Sequence, residues 1–133
     1  MTVSDVLFDT WAWWEVLHGT PRGAALWKKY GRPSSVRIHS SLLTLAELSV
    51  KLTREGRRTR VAGALSVVES SSRVHAVSRS HAERAGPLLA ALRARCPDAG
   101  LVDALILACA QELGSILISG DAAYSGFRNT RAD

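Results

Sequence analysis

Short aliphatic and β-branched runs alternate with longer stretches of helical periodicity from one end of the chain to the other. Strands separated in sequence by helices pair side by side in the same direction, so this alternation implies an α/β fold with a mainly parallel sheet. Strands are expected at residues 6–8, 36–39, 74–77 and 116–118. The last of these, Ile-Leu-Ile, has the composition of a strand buried on both faces. Between them, Thr10 is placed to cap a helix carrying Trp11, Trp13 and Trp14 as far as Gly19. A second helix starts at Pro21, a favoured first-turn residue, and runs to about Gly31. Amphipathic helices follow over residues 42 to about 54, stopped by Gly56, and over 57–69, with Val61, Ala64, Leu65 and Val68 at helical spacing.

Ser78 or Ser80 caps the next helix, whose stripe is Ala85, Leu88, Leu89 and Leu92. Pro87 falls inside that stripe, which means either a kink or a later start. Residues 101–113 form a helix apolar on nearly all sides, stopped by Gly114, and the tail from Tyr124 has room for one short edge strand.

The 133 residues fit a single domain over 1–133, with 47% hydrophobic residues to build its core and no internal repeat or linker. Cys96 and Cys109 lack metal-site spacing, and Cys109 sits in an apolar run, so a reducing cytoplasm is the expected setting. No basic segment followed by an apolar one opens the chain, and the apolar stretch 104–110 is too short to span a bilayer, so no membrane role is expected. With 17 Lys and Arg against 12 Asp and Glu, the net charge is +5. That balance suits a polyanionic partner, of which nucleic acid is the commonest, although an arginine-rich composition gives the same balance without one.

Acidic residues ordinarily face water, and four of the twelve do not sit where that rule would put them. Asp9 ends Val-Leu-Phe-Asp and Asp121 ends Ile-Leu-Ile-Ser-Gly-Asp. Binding sites of parallel sheets open at the carboxyl ends of strands, so the two are expected in one crevice. Glu47 lies within Leu-Leu-Thr-Leu-Ala-Glu-Leu, close to the face that meets the sheet, and Asp103 lies in the first turn of the apolar helix. Each has an ordinary alternative: Asp103 as a helix-dipole partner, Asp121 as a cap, Asp9 as a turn residue, Glu47 as the mate of an arginine. Burying several carboxylates together makes physical sense when a divalent cation neutralises them. Hard oxygen ligands without a His or Cys cluster favour magnesium, with manganese as a substitute, over zinc. His18, His39, His75 and His81 show no metal-binding spacing.

A strand ending in Asp-Thr, an apolar helix with a central Glu, then Asp-Ala-Leu-Ile-Leu-Ala and Ser-Gly-Asp together resemble the PIN-domain family. The size is similar to the VapC-type toxins of prokaryotic toxin–antitoxin pairs. The stretch 101–121 is its most specific part, and the likeness runs from residue 5 to about 127. The resemblance implies a three-layer sandwich, with a central sheet of four or five mainly parallel strands flanked by helices. It also implies a usual dimer, magnesium-dependent endonucleolytic cleavage of RNA, and a cognate antitoxin that blocks the groove. Carried onto this chain, the metal-binding acids fall on Asp9, Glu47, Asp103 and Asp121, supported by the hydroxyls of Thr10 and Ser119. The chain departs from the pattern at Trp11, where many members have a small residue, and in its short tail.

An acidic pocket repels RNA, so cations must border it. Lys51, Arg54, Arg57, Arg58 and Arg60 cluster around Gly56 and are expected to grip phosphates, against the alternative of a solvated charged turn. Of Trp11, Trp13 and Trp14, at least one is expected in the core, and an exposed remainder suits a protein contact or base stacking. Two rival readings differ in class. A non-catalytic PIN-like module would bind RNA or protein, but it would have little reason to keep all four acids. A phosphatase of the aspartyl-phosphate type would place a second Asp two residues after Asp9, where this chain has Trp11.

Overall fold

The computed structural model describes residues 4–124 and 127, together with the backbone of 130–131. Five parallel strands form one sheet in the order β3-β2-β1-β4-β5: β1 Ser4–Phe8, β2 Val36–Ser41, β3 Arg73–His75, β4 Ile116–Ile118 and β5 Thr130–Arg131. The helices are α1 Thr10–His18, α2 Pro21–Leu26, α3 Leu42–Arg54, α4 Val61–Ser71, α5 Arg79–Arg93 and α6 Leu101–Glu112. This is the α/β fold with a parallel sheet expected from the alternation, in the three-layer sandwich that the resemblance implies.

Strand alternation divides the core in two. Val6, Phe8, Ile38 and Ile118 point to one face and pack with Trp13, Leu26, Leu48 and Val68 from α1 to α4. Leu7 and Leu117 point to the other and pack with Leu92, Ile106, Leu107 and Ala110 from α5 and α6. The register Val6↔Ile116, Leu7↔Leu117 keeps each set on its own side. The chain steps outward from β1 to β3 and then returns to the far side of β1. Crossovers between parallel strands are right-handed, so reversing the direction of travel sends α5 and α6 to the opposite face from α1 to α4. The reversal between β1 and β4 is a topological switch point, where a crevice opens at the strand ends.

Several local expectations are corrected. Asp9, not Thr10, caps α1, its carboxylate accepting the Ala12 N–H at 2.9 Å. Strand β3 covers 73–75 rather than 74–77, because β2 ends at Ser41 and offers no backbone beyond the Ser41↔His75 pair. The helix expected from residue 57 starts at Val61. Gly56, at φ 73, and Arg57, whose N–H bonds the Leu52 carbonyl, are used to close α3, and a single 3₁₀ turn Arg58–Arg60 follows. Of the two serines expected, Ser78 caps α5, and Pro87 lies within that helix. The edge strand at the tail is two residues long.

On the α5–α6 side a chain of polar contacts ties the first three strands together. Asp5 accepts from His39 at 2.8 Å, and the other His39 nitrogen lies 2.9 Å from His75. Among the described residues, no helix is long and apolar enough to cross a membrane.

Candidate metal-binding cleft

The crevice at the switch point is a cleft of about 670 Å³, and Asp9, Glu47, Asp103 and Asp121 all line it. Thr10, Trp11, Lys51, Arg54 and Tyr124 share its walls. None of the four histidines does.

Asp9 leaves the end of β1 and is only 4% exposed. It accepts from Ala12 N–H and from the Ser119 hydroxyl. Burial pushes its carboxyl up from 3.8 to about 7; the two hydrogen bonds oppose the rise, and the charges of Asp121 and Glu47 add to it. The same Ser119 oxygen accepts the Asp121 N–H at 2.9 Å, so one hydroxyl positions both strand-end acids. Asp121 in turn accepts from Ala123 N–H at 2.9 Å and organises the 3₁₀ turn Ala122–Tyr124.

The two helical acids are held differently. Glu47 is half-buried in the middle of α3 and accepts from the Thr10 hydroxyl at 2.5 Å. Burial raises its pKa foremost; Thr10 and Lys51 act to lower it, and Asp103 and Asp121 to raise it. Because Asp9 has taken the cap, the Thr10 side chain is free to reach α3. Asp103, in the first turn of α6, accepts the Gly100 N–H at 2.8 Å. The capping alternative for Asp121 is therefore realised, Asp9 caps α1 where a turn residue was the alternative, and Asp103 sits in the first turn of α6 as a dipole partner would; all three also hold a place on the cleft wall. A carboxylate has more than one lone pair, so a cap fixes its direction without exhausting it.

Tyr124 was not foreseen from the sequence. It is buried, its hydroxyl donates to the Asp103 carbonyl at 3.1 Å, and burial together with all four acids drives its pKa well above 10. The available signal was its spacing: in one 3₁₀ turn, the third residue after Asp121 folds back beside it.

The basic cluster is divided. Lys51 and Arg54, on the last turns of α3, border the acidic cleft. Arg57 and Arg60 instead line a separate groove of about 320 Å³ with Trp14, Leu17 and Val67, and Arg58 is exposed. The three tryptophans also separate. Trp13 is fully buried, edge-on to Phe8 and donating to Ser40 at 2.8 Å. Trp14 stacks on His18 with the Lys51 ammonium 4.2 Å from its ring, and Trp11 turns into the cleft.

Trp11 explains the glycine of Ser-Gly-Asp. A Cβ on Gly120 would stand 2.3 Å from Trp11 Cε2, so the indole rests directly on this backbone. Gly120→Ala is expected to displace the indole and shift Asp121 with it. Trp11 fluorescence and a loss of about 1–3 kcal/mol in denaturant unfolding are the readouts.

The donors lining the cleft are of the kind a divalent cation takes. Every acid lining it offers hard oxygen, and burial, with the neighbouring Asp121 and Glu47 charges, pushes the Asp9 carboxyl to about 7. The residues fit such an ion. Among the described residues no group of three or more His, Cys, Asp or Glu side chains is gathered closely enough to hold an ion, so the four acids share the cleft without forming a coordination shell.

A family model for the PIN domain matches residues 6–131. The chain belongs to the PIN-domain family. Solved PIN structures share the architecture. A toxin–antitoxin complex from Klebsiella pneumoniae contains a chain 27% identical, with a TM-score of 0.68 and 95% of each chain covered. VapBC2 from Rickettsia felis, bound to a DNA fragment from its promoter, matches at 16% identity and a TM-score of 0.73, again over 95% of each chain. VapC20 of Mycobacterium tuberculosis, a toxin cleaving the sarcin–ricin loop, matches at 23% identity and a TM-score of 0.70, over 92% of this chain and 95% of that one. No curated protein matches the sequence.

Proposed function

We propose that this PIN domain is a magnesium-dependent endoribonuclease, the toxin of a toxin–antitoxin pair, acting as one cytoplasmic domain that pairs as a homodimer. PIN-family proteins are nucleases that generally use divalent metals, and several structural relatives are toxins in complex with antitoxins. The observation that carries the reading is the meeting of four carboxylates at one switch point, one of them buried and pushed to about 7.

Asp9 and Asp121 would hold the ion directly, because strand ends and Ser119 keep them rigid. Glu47 and Asp103 would complete the site directly or through water, in keeping with the open arrangement and with magnesium's habit of retaining water. When bound, the cation neutralises charge on the phosphate and acidifies water. Thr10 keeps the Glu47 carboxylate aimed into the cleft, and Ser119 does so for Asp9. Lys51 and Arg54 bind phosphate oxygens at the rim, offsetting the repulsion between RNA and the acids. Arg57, Arg58 and Arg60, around the corner after α3 and apart from the cleft, would grip phosphates further along the strand.

The test is cleavage of RNA with magnesium, with manganese and with chelator. Cleavage restored by adding the metal back supports the reading, and cleavage that ignores chelator contradicts it. A second expectation concerns the basic track. On a long RNA, Arg57→Gln with Arg58→Gln and Arg60→Gln should flatten the salt slope of binding by up to about three. On an RNA too short to reach the corner, only Lys51→Gln with Arg54→Gln should do so. Equal slopes for wild type and both variants would place the substrate elsewhere.

A further inference from the structure

Three tryptophans follow the first acid, and the proposed chemistry uses none of them. Trp13 is committed to the core and Trp14 to His18 and Lys51. Trp11 is different. It is part-buried, lines the cleft two residues after Asp9, and its indole lies on Gly120, the residue before Asp121. The ring therefore packs on the backbone that leads into Asp121, in a cleft lined also by Asp9. The exposed Arg22 from the first turn of α2 holds its guanidinium 5.6 Å from the ring centroid.

We propose that Trp11 is a specificity-determining residue: it takes one unpaired nucleobase in stacking contact beside the scissile phosphate, with Arg22 closing over the base. This rests on the ribonuclease reading and assigns a substrate contact within it. Gly120 holds the indole at a fixed place on the cleft wall, so stacking a base there costs little ordering. A planar guanidinium on an exposed, long side chain can swing outward to admit the base and then stack on its outer side. A base held in a duplex has no free face, so the contact discriminates for looped or single-stranded RNA.

The experiment places a single abasic nucleotide at each position in turn along a short single-stranded RNA. Kd is read by fluorescence anisotropy in magnesium on an Asp121→Asn background, which leaves the RNA uncut. One abasic position should weaken binding by roughly fivefold or more. The same penalty should vanish in Trp11→Leu, which keeps apolar cover on Gly120 but has no aromatic face, and return in Trp11→Phe. Arg22→Gln should halve the penalty or better. A penalty that persists in Trp11→Leu, or no sensitive position, overturns the proposal. So does a Trp11→Leu loss that is equal on duplex and single-stranded RNA, which would make the residue a general surface contact. Cleavage of the intact RNA by wild type is followed separately, so failure of the nuclease reading is seen there and not in the binding pattern.

Discussion

Asp9→Asn is expected to melt several degrees above wild type when both are free of metal at pH 7.5, and to cleave RNA at least about a hundredfold more slowly when both are given magnesium. The two effects share a cause. Asp9 is only 4% exposed, and its carboxyl titrates at about 7 rather than 3.8, with burial the largest contributor. Holding that carboxylate ionised in the folded chain costs roughly 4 kcal/mol against the unfolded one. Asparagine removes the charge, keeps the shape, and still accepts the Ala12 N–H. It loses the bond accepted from Ser119, because with Oδ1 kept on Ala12 the amide nitrogen, a donor, faces that hydroxyl. The net gain should therefore be nearer 1–2 kcal/mol. Differential scanning calorimetry with chelator reads the stability, and cleavage with magnesium reads the activity. A destabilised Asp9→Asn would mean the carboxylate is already compensated by something within the protein.

The second large effect is a magnesium response that grows with pH. Asp9 has a raised folded-state pKa, so between about 4 and 7 the folded chain keeps a proton that the unfolded chain has released. Stability of the metal-free protein from this group must fall as pH rises across that window and level off above it. Glu47 is shifted in the same direction and adds to the fall. His75 acts in the opposite sense. Burial, His39, Arg73 and His81 lower its pKa, so it costs stability as pH drops below about 6.5. A divalent cation needs deprotonated ligands and binds only the assembled cleft. At about a hundred times its dissociation constant it should add roughly 2.7 kcal/mol at neutral pH and much less near pH 5. Asp9→Asn with Asp103→Asn should erase the response. A melting temperature that ignores millimolar magnesium and manganese at every pH would mean that the cleft binds neither ion.

What could be read from sequence follows from period and position. Asp9 and Asp121 close apolar strand runs, and a strand end in a parallel sheet has only one place to open. Glu47 and Asp103 interrupt apolar helical faces, so their placement followed from the 3.6-residue repeat. Which hydroxyl bonds which acid was not legible, because one shift of the cap from Thr10 to Asp9 re-aims the Thr10 side chain toward α3. The basic corner was one cluster in sequence and two in space. Gly56, with its positive φ, turns the chain sharply between Arg54 and Arg57, and charge patterning carries no information on that turn. Tyr124 escaped because its contact with Asp103 joins two segments 21 residues apart through a side-chain hydroxyl. Trp11 read as either core or surface. Its cleft position depends on the missing side chain at Gly120, a pairing across the sheet that no local pattern encodes.

We propose one magnesium-loaded site, made by these carboxylates, that cuts RNA. Its most direct measurement is cleavage of one RNA by wild type and by Asp121→Asn, each shown by circular dichroism to be folded, with magnesium and with chelator. Asp121 is exposed and meets its neighbours through one carboxylate oxygen and its backbone N–H, so asparagine leaves the fold in place. Cutting by wild type with magnesium, and by neither protein otherwise, is the result expected. Equal cutting by a folded Asp121→Asn, or cutting by wild type in chelator, would contradict it.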